Sequence, residues 1–154
     1  MICLGIFFLG FISSKITIPE RNVDSTEETS TIKNIFDSTT VVSYLNKHQV
    51  KFSHIVLAQA KLESGLLNNS KLAKESNNIL GLRVSARRYT FCTNNHDYGN
   101  FAKFLSVEDC IKDYKSWQIQ NAFFITTEEE YFSLLETVYC KDPGYIQAIK
   151  KLIK

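Results

Sequence analysis

The chain has 154 residues, 44% hydrophobic and 12% aromatic, which suits one buried core and excludes a multidomain protein. Its formal charge of +2 is too mild for a nucleic-acid binder, and no nucleic-acid-binding motif is present. The charge is unevenly placed, net acidic over residues 20–37 and net basic from Val41 onward.

Residues 1–14 open with MICLGIFFLGFI, an apolar run that reads as a signal peptide or an anchor. Its twelve residues fall short of the roughly 20 needed to span a bilayer. No Lys or Arg precedes the run, so export and membrane association through residues 1–12 both stay open. Residues 15–39, including RNVDSTEETST, have the composition of a flexible linker. The folded domain is therefore expected over residues 40–154.

Within it, residues 40–46 predict a short helix directing Val42 and Leu45 towards Val50. A second helix carries Ile55, Ala58 and Leu62 at helical spacing, with Val56 and Ala60 widening the apolar stripe. Ser53 is its expected cap and Ser64-Gly65 its expected end, which leaves Glu63 on the last turn. Apolar neighbours and the negative end of the helix dipole both disfavour an ionised carboxyl there. Such a group suits a general acid; a solvated glutamate is the plainer alternative.

Ser70 should cap a brief helix that ends at Asn77-Asn78. Residues 83–104 hold turn signals at Asn94-Asn95 and Gly99-Asn100 and predict a small β hairpin or irregular lobe. Ser106-x-x-Asp109 starts a helix with Val107, Cys110, Ile111, Tyr114 and Trp117 inward. Thr127-x-x-Glu130 starts another with Tyr131, Leu134, Leu135 and Val138 inward. Asp142-Pro143 opens the last, burying Ile146, Ile149 and Ile153. The expected class is α+β and mostly helical.

Cys3, Cys92, Cys110 and Cys140 lack C-x-x-C spacing, and His48, His54 and His96 are scattered, so no metal site is expected. Cys92, Cys110 and Cys140 allow one disulfide in an oxidising compartment or buried free thiols instead.

The segment LAQAKLESG at residues 57–65, followed by Leu72-Ala73-Lys74 and NNILGLR at residues 77–83, resembles the catalytic core of the glucosaminidase family, glycoside hydrolase family 73. FAKFLSVEDCIKDYKSWQ at residues 101–118 and YCKDPGYIQAIKKLI at residues 139–153 extend the resemblance over most of the chain. It implies a lysozyme-like domain with a small β lobe and a cleft between lobes. It also implies an endo-β-N-acetylglucosaminidase acting on peptidoglycan glycan strands, without cofactor, in the periplasm or cell envelope.

Glu63 then takes the general-acid role. Asp97, the one acid of residues 83–104, is the candidate second carboxylate; if it is a turn residue, the substrate's own N-acetyl group takes that role. Tyr139 and Tyr145 match aromatic positions of the family's tail, and Asn77 and Asn78 match its paired asparagines. The asparagines either bind an acetamido group or fix the turn. Tyr89 and Tyr98, with Phe91, Phe101 and Trp117, are candidate sugar platforms. Lys71, Lys74, Arg83, Arg87 and Arg88 form an expected basic rim for an anionic glycan. The same fold also supports a muramidase, a lytic transglycosylase or a glycan-binding or assembly protein without turnover.

Overall fold

The structure is a computed structural model that describes residues 36–67, 69–93 and 99–153. The apolar N-terminal run, most of the linker, and Asp97 and Tyr98 lie outside the described residues.

Helix α1 spans Ser38–Lys47, starting inside the expected linker because the Asp37 side chain accepts the Thr40 N–H at 2.7 Å. Val41 rather than Val42 is its fully buried partner to Leu45. Helix α2, Ser53–Glu63, is entered differently from the expectation. Ser53 lies in the first turn, and the residue before it, Phe52, takes a left-handed conformation at φ 53° with no side-chain cap. Stacking of the Phe52 ring on Tyr131, centroids 4.7 Å apart, accompanies that unfavourable backbone angle. The far end follows expectation, with Ser64 bonding back to Ala60 and Gly65 at φ 63°.

Helix α3, Lys71–Ser76, is capped by Ser70 and stopped by Asn77 at φ 50°. Helix α4, Val107–Asn121, is capped by Ser106, and its first turn carries Glu108 and Asp109, the signs that the helix dipole favours there. Helix α5, Glu128–Leu134, begins with a full capping box between Thr127 and Glu130. It runs into a π-helical turn, Leu135–Tyr139. The widened turn shifts the helical phase by about one residue. Val138, expected inside, is consequently 52% exposed, while Tyr139 packs against the core. Helix α6, Tyr145–Leu152, starts after Gly144 rather than at Pro143, and the Asp142 side chain accepts the Gly144 N–H at 2.8 Å.

Helix α2 packs against both α1 and α6; α1 also packs on α4, and the π turn on α6. Ile55, Val56, Leu45, Ile79, Leu80, Ile111, Leu135 and Ile149 are fully buried in the shared core. Lys51 closes the C-terminal end of α4 by donating to the carbonyls of Ala122, Phe123 and Ile125 at 2.8–3.2 Å.

The expected β lobe is not a sheet among the described residues. One antiparallel bridge, Arg83 with Phe101, is all the β pairing there, flanked by Val84 N–H to Asn100 O and Ala102 N–H to Leu82 O. The reason lies in what the segment bonds to. The Phe91 N–H is taken by Asp113 and the Tyr89 carbonyl by Ser116, both on α4, so residues 89–91 are held by a helix rather than a strand. Cys92, Cys110 and Cys140 are free thiols, which answers the disulfide alternative for these three.

Candidate active site

Glu63 is the last residue of α2, half-buried where the helix meets α6 and the loop at Gly81. Its Oε1 accepts a hydrogen bond from the Tyr145 hydroxyl at 2.8 Å. Burial pushes its pKa above the ordinary 4.5, and the Tyr145 bond pulls the other way. Its Oε2 faces Gly81 so closely that a Cβ there would lie 2.9 Å away. Gly81 also has φ 63°, so both backbone conformation and the approach of the carboxyl require glycine. In the sequence Gly81 stands only as part of the NNILGLR segment. Its place between buried Leu80 and Leu82 was the available signal.

Tyr139 and Tyr145 come together beside Glu63. Their rings stack with centroids 6.2 Å apart, and Trp117 meets Tyr139 edge-on at 5.2 Å. The Tyr139 hydroxyl donates to the Leu80 carbonyl, pinning the residue before Gly81. The π turn thus supplies the inward tyrosine that fixes the Gly81 loop against Glu63.

A groove of about 320 Å³ opens from Gly81 and Tyr139. Trp117, Gln120, Asn121 and Val138 line one side, and Arg83, Ser85, Arg87 and Arg88 the other. It joins an aromatic surface to hydrogen-bonding side chains and cationic groups, a lining that suits a polar, anionic, ring-bearing ligand.

The paired asparagines act on the backbone. Asn78 is fully buried; its amide nitrogen donates to the carbonyls of Leu82 and Ala102, each at 2.8 Å, and its oxygen accepts the Leu82 N–H at 2.9 Å. Asn77 donates to the carbonyls of Phe104 and Leu105. These bonds fill the turn-fixing role, holding residues 77–82 against 102–105. Tyr89 is 74% exposed and packs edge-on against Phe91, away from Glu63's own contacts. Asp97 and Tyr98 have no described position.

The basic rim divides. Lys71 and Lys74 lie exposed on α3, and Arg83 and Arg87 are exposed in the groove lining. Arg88 is not a rim residue. Its side chain is only 6% exposed and pairs with Asp113, itself 1% exposed, at 2.7 Å. Asp113 occupies a buried position of α4 that the helical pattern did not reveal, since an acid on the inner face contradicts the apolar period. Burial raises its pKa, opposed by the Phe91 N–H and by Arg88.

Another polar residue missed in the sequence is Gln59, fully buried on α2 one turn before Glu63. Its amide bonds Tyr145 at 3.2 Å and Tyr114 at 2.6 Å. A lone glutamine among Ala58 and Ala60 on a core helix was the signal.

A helical domain with a half-buried carboxyl ending its core helix beside an open groove is a lysozyme-like arrangement. The family model of Glucosaminidase, described as mannosyl-glycoprotein endo-beta-N-acetylglucosaminidase, matches residues 38–154, and the chain belongs to this family of glycoside hydrolases, family 73. Solved structures share the fold. The catalytic domain of the autolysin Auto from Listeria monocytogenes is 22% identical with a TM-score of 0.50, over 75% of this chain and 77% of that one. The C-terminally truncated glycoside hydrolase domain of FlgJ from Salmonella typhimurium is 21% identical with a TM-score of 0.52, over 76% and 95%. A type VI secretion system effector-immunity complex from Pseudomonas protegens contains a chain 16% identical with a TM-score of 0.50, over 79% and 96%. No curated protein compared with the chain matches it.

Proposed function

We propose that the protein is an exported peptidoglycan hydrolase of the cell envelope that cleaves the β-1,4 bond after N-acetylglucosamine, with Glu63 as general acid. The observation that carries the reading is the Glu63 carboxyl, raised in pKa by burial, bonded to Tyr145 and set against Gly81, which lines the groove. A carboxyl whose protonated form is favoured by burial can deliver its proton to the leaving oxygen, a contribution of about 10²–10⁴ in rate. Names among the structural relatives, an autolysin and a glycoside hydrolase domain, agree with a cell-wall substrate.

Trp117 and Tyr139 offer ring faces and edges to sugars, while Arg83 and Arg87 offer charge to the carboxylates of the glycan's peptides. Asp97 is the candidate for the second catalytic carboxylate. Glu75 is exposed on α3 and Asp113 is paired with Arg88, so neither is offered for that role. If Asp97→Asn keeps turnover, the substrate's acetamido oxygen provides the stabilisation instead.

The deciding experiment is mass spectrometry of borohydride-reduced fragments from purified peptidoglycan treated with wild type and with Glu63→Gln. Reduced N-acetylglucosamine ends from the wild type alone are expected. Anhydro sugar ends would make it a transglycosylase, reduced muramic ends a muramidase, and intact glycan with folded wild-type protein a binding module.

A further inference from the structure

Six side chains form an unbroken hydrogen-bond chain from the backbone of Lys51 to Glu63. Gln118 on α4 is its anchored end. The Gln118 Oε1 accepts the Lys51 N–H at 2.9 Å and its Nε2 donates to the Lys51 carbonyl at 2.9 Å, so the backbone dictates which side of the amide is nitrogen. The other Nε2 hydrogen goes to the Tyr131 hydroxyl oxygen at 2.7 Å. Tyr131 then gives its single hydrogen to the Tyr114 oxygen at 2.6 Å. Tyr114 donates in turn to Gln59 Oε1 at 2.6 Å. That bond turns the Gln59 Nε2 to the Tyr145 oxygen at 3.2 Å, and Tyr145 donates to Glu63 Oε1 at 2.8 Å.

Every hydrogen points towards Glu63. If Tyr114 donated to Tyr131 instead, Tyr131 would be accepting from both sides and its own buried O–H would lose its acceptor, an unfavourable state in a site closed to water. The anchored amide therefore sets the direction of every later bond.

We propose that Gln118 is a positioning residue for the reaction: through Tyr131, Tyr114 and Gln59 it commits Tyr145 to donate to Glu63 Oε1, so the transferable proton resides on Oε2, the oxygen facing Gly81. The inference rests on the reading of Glu63 as the acid. In the cleavage step the proton leaves Oε2 for the glycosidic oxygen as the carbon–oxygen bond breaks and its electron pair stays on that oxygen. The resulting carboxylate keeps the Tyr145 hydrogen bond on Oε1 throughout, so no hydroxyl need rotate during transfer. Oε2 is the oxygen that faces Gly81, and Gly81 itself lines the groove.

The chain also bears on titration. Tyr145 on α6 and Tyr139 on the π turn are the titratable groups facing Glu63, with Tyr114 and Cys110 of α4, Tyr131 of α5 and Cys140 behind them. Burial raises all four tyrosines, Tyr131 to about 12, and Cys110 also to about 12. A Tyr145 bound to donate stabilises the ionised form of Glu63. Once free to turn, Tyr145 can instead accept from the protonated form, and the Glu63 pKa rises.

The test is a ¹³C titration of protein labelled at the glutamate carboxyls, with the Glu63 resonance assigned by its loss in Glu63→Gln. Tyr114→Phe frees the Gln59 amide to turn over, and Gln118→Met frees the direction of the whole chain. Each is expected to raise the Glu63 midpoint by about half a pH unit or more. The basic limb of kcat/KM on peptidoglycan should rise with it. Tyr44→Phe, a half-buried tyrosine outside the chain, should leave both unchanged. An unshifted or lowered midpoint in folded Tyr114→Phe would overturn the proposal, and that variant decides alone if Gln118→Met does not fold. Full activity in Glu63→Gln would instead remove the acid reading, while the midpoints still report on the chain's direction.

Discussion

The two regions on either side of Gly81 in the chain's fold, the Glu63 region and residues 83–93, are built on different principles. Around Glu63, α2, α6 and the π turn bury a chain of polar groups in which each donor has an acceptor. Residues 83–93, by contrast, are held by one β bridge, hydrogen bonds to α4 and the Arg88–Asp113 pair. In the proposed reaction proton transfer depends on sub-ångström placement, which suits a Glu63 held where helices determine geometry. Under the proposed function, a segment that accommodates a long polymer can rest on fewer tethers. The geometry of Glu63 is spread over many mutually supporting bonds, whereas residues 83–93 rest on a few separate tethers.

That asymmetry is most sharply broken at the buried ion pair. Arg88→Ala leaves Asp113 without its cation, and a loss of about 3–5 kcal/mol is expected in a denaturant melt. Replacing both partners, as Arg88→Met with Asp113→Leu, should recover most of it, because it is the unpaired charge that destabilises.

On the acid side the largest effect is catalytic. Glu63→Gln should lower turnover about 10²-fold or more with an unchanged circular dichroism spectrum. Gly81→Ala should fall between the two kinds of effect. Its left-handed φ costs about 1–2 kcal/mol and its Cβ meets Glu63 Oε2, so both melting temperature and turnover should drop.

The smallest expected effect is a pH dependence of stability. The folded-state pKa of Glu63 is raised by burial, so its contribution is fully present below the ordinary 4.5 and is lost as pH rises through the folded value. Glu63→Gln should therefore gain in melting temperature relative to wild type at neutral pH, and the gap should close on acidification below about pH 4. A gap independent of pH would mean that the glutamate is not strained by its surroundings.

Much of this design is legible locally. Ser70, Ser106 and Thr127 cap their helices as their spacing indicates, because a cap bonds an amide only three residues away. Tyr131 and Leu135 are buried as predicted, yet Val138 and Tyr139 exchange places because a single π turn resets the phase that periodicity assumes. Phe52 enters α2 through a left-handed residue whose aromatic partner lies far along the chain, which no window around Ser53 contains. Arg88 resembles a surface charge until Asp113, on the other side of the turn-rich segment, folds beneath it.

The helices, the caps at Ser70, Ser106 and Thr127, most of the core, and a glutamate ending an apolar helix are all readable from the amino-acid sequence. These follow from interactions within a turn or two of chain, or from a motif short enough to be read directly. Only the tertiary structure decided that Gly81 abuts Glu63, that Asn78 is a backbone clamp, that Arg88 is buried and that a directed chain of hydroxyls and amides runs from Lys51 to the acid. Each of those depends on groups distant in sequence meeting where water is absent, and hydrogen bonding in such a place is set by whichever partners the fold supplies.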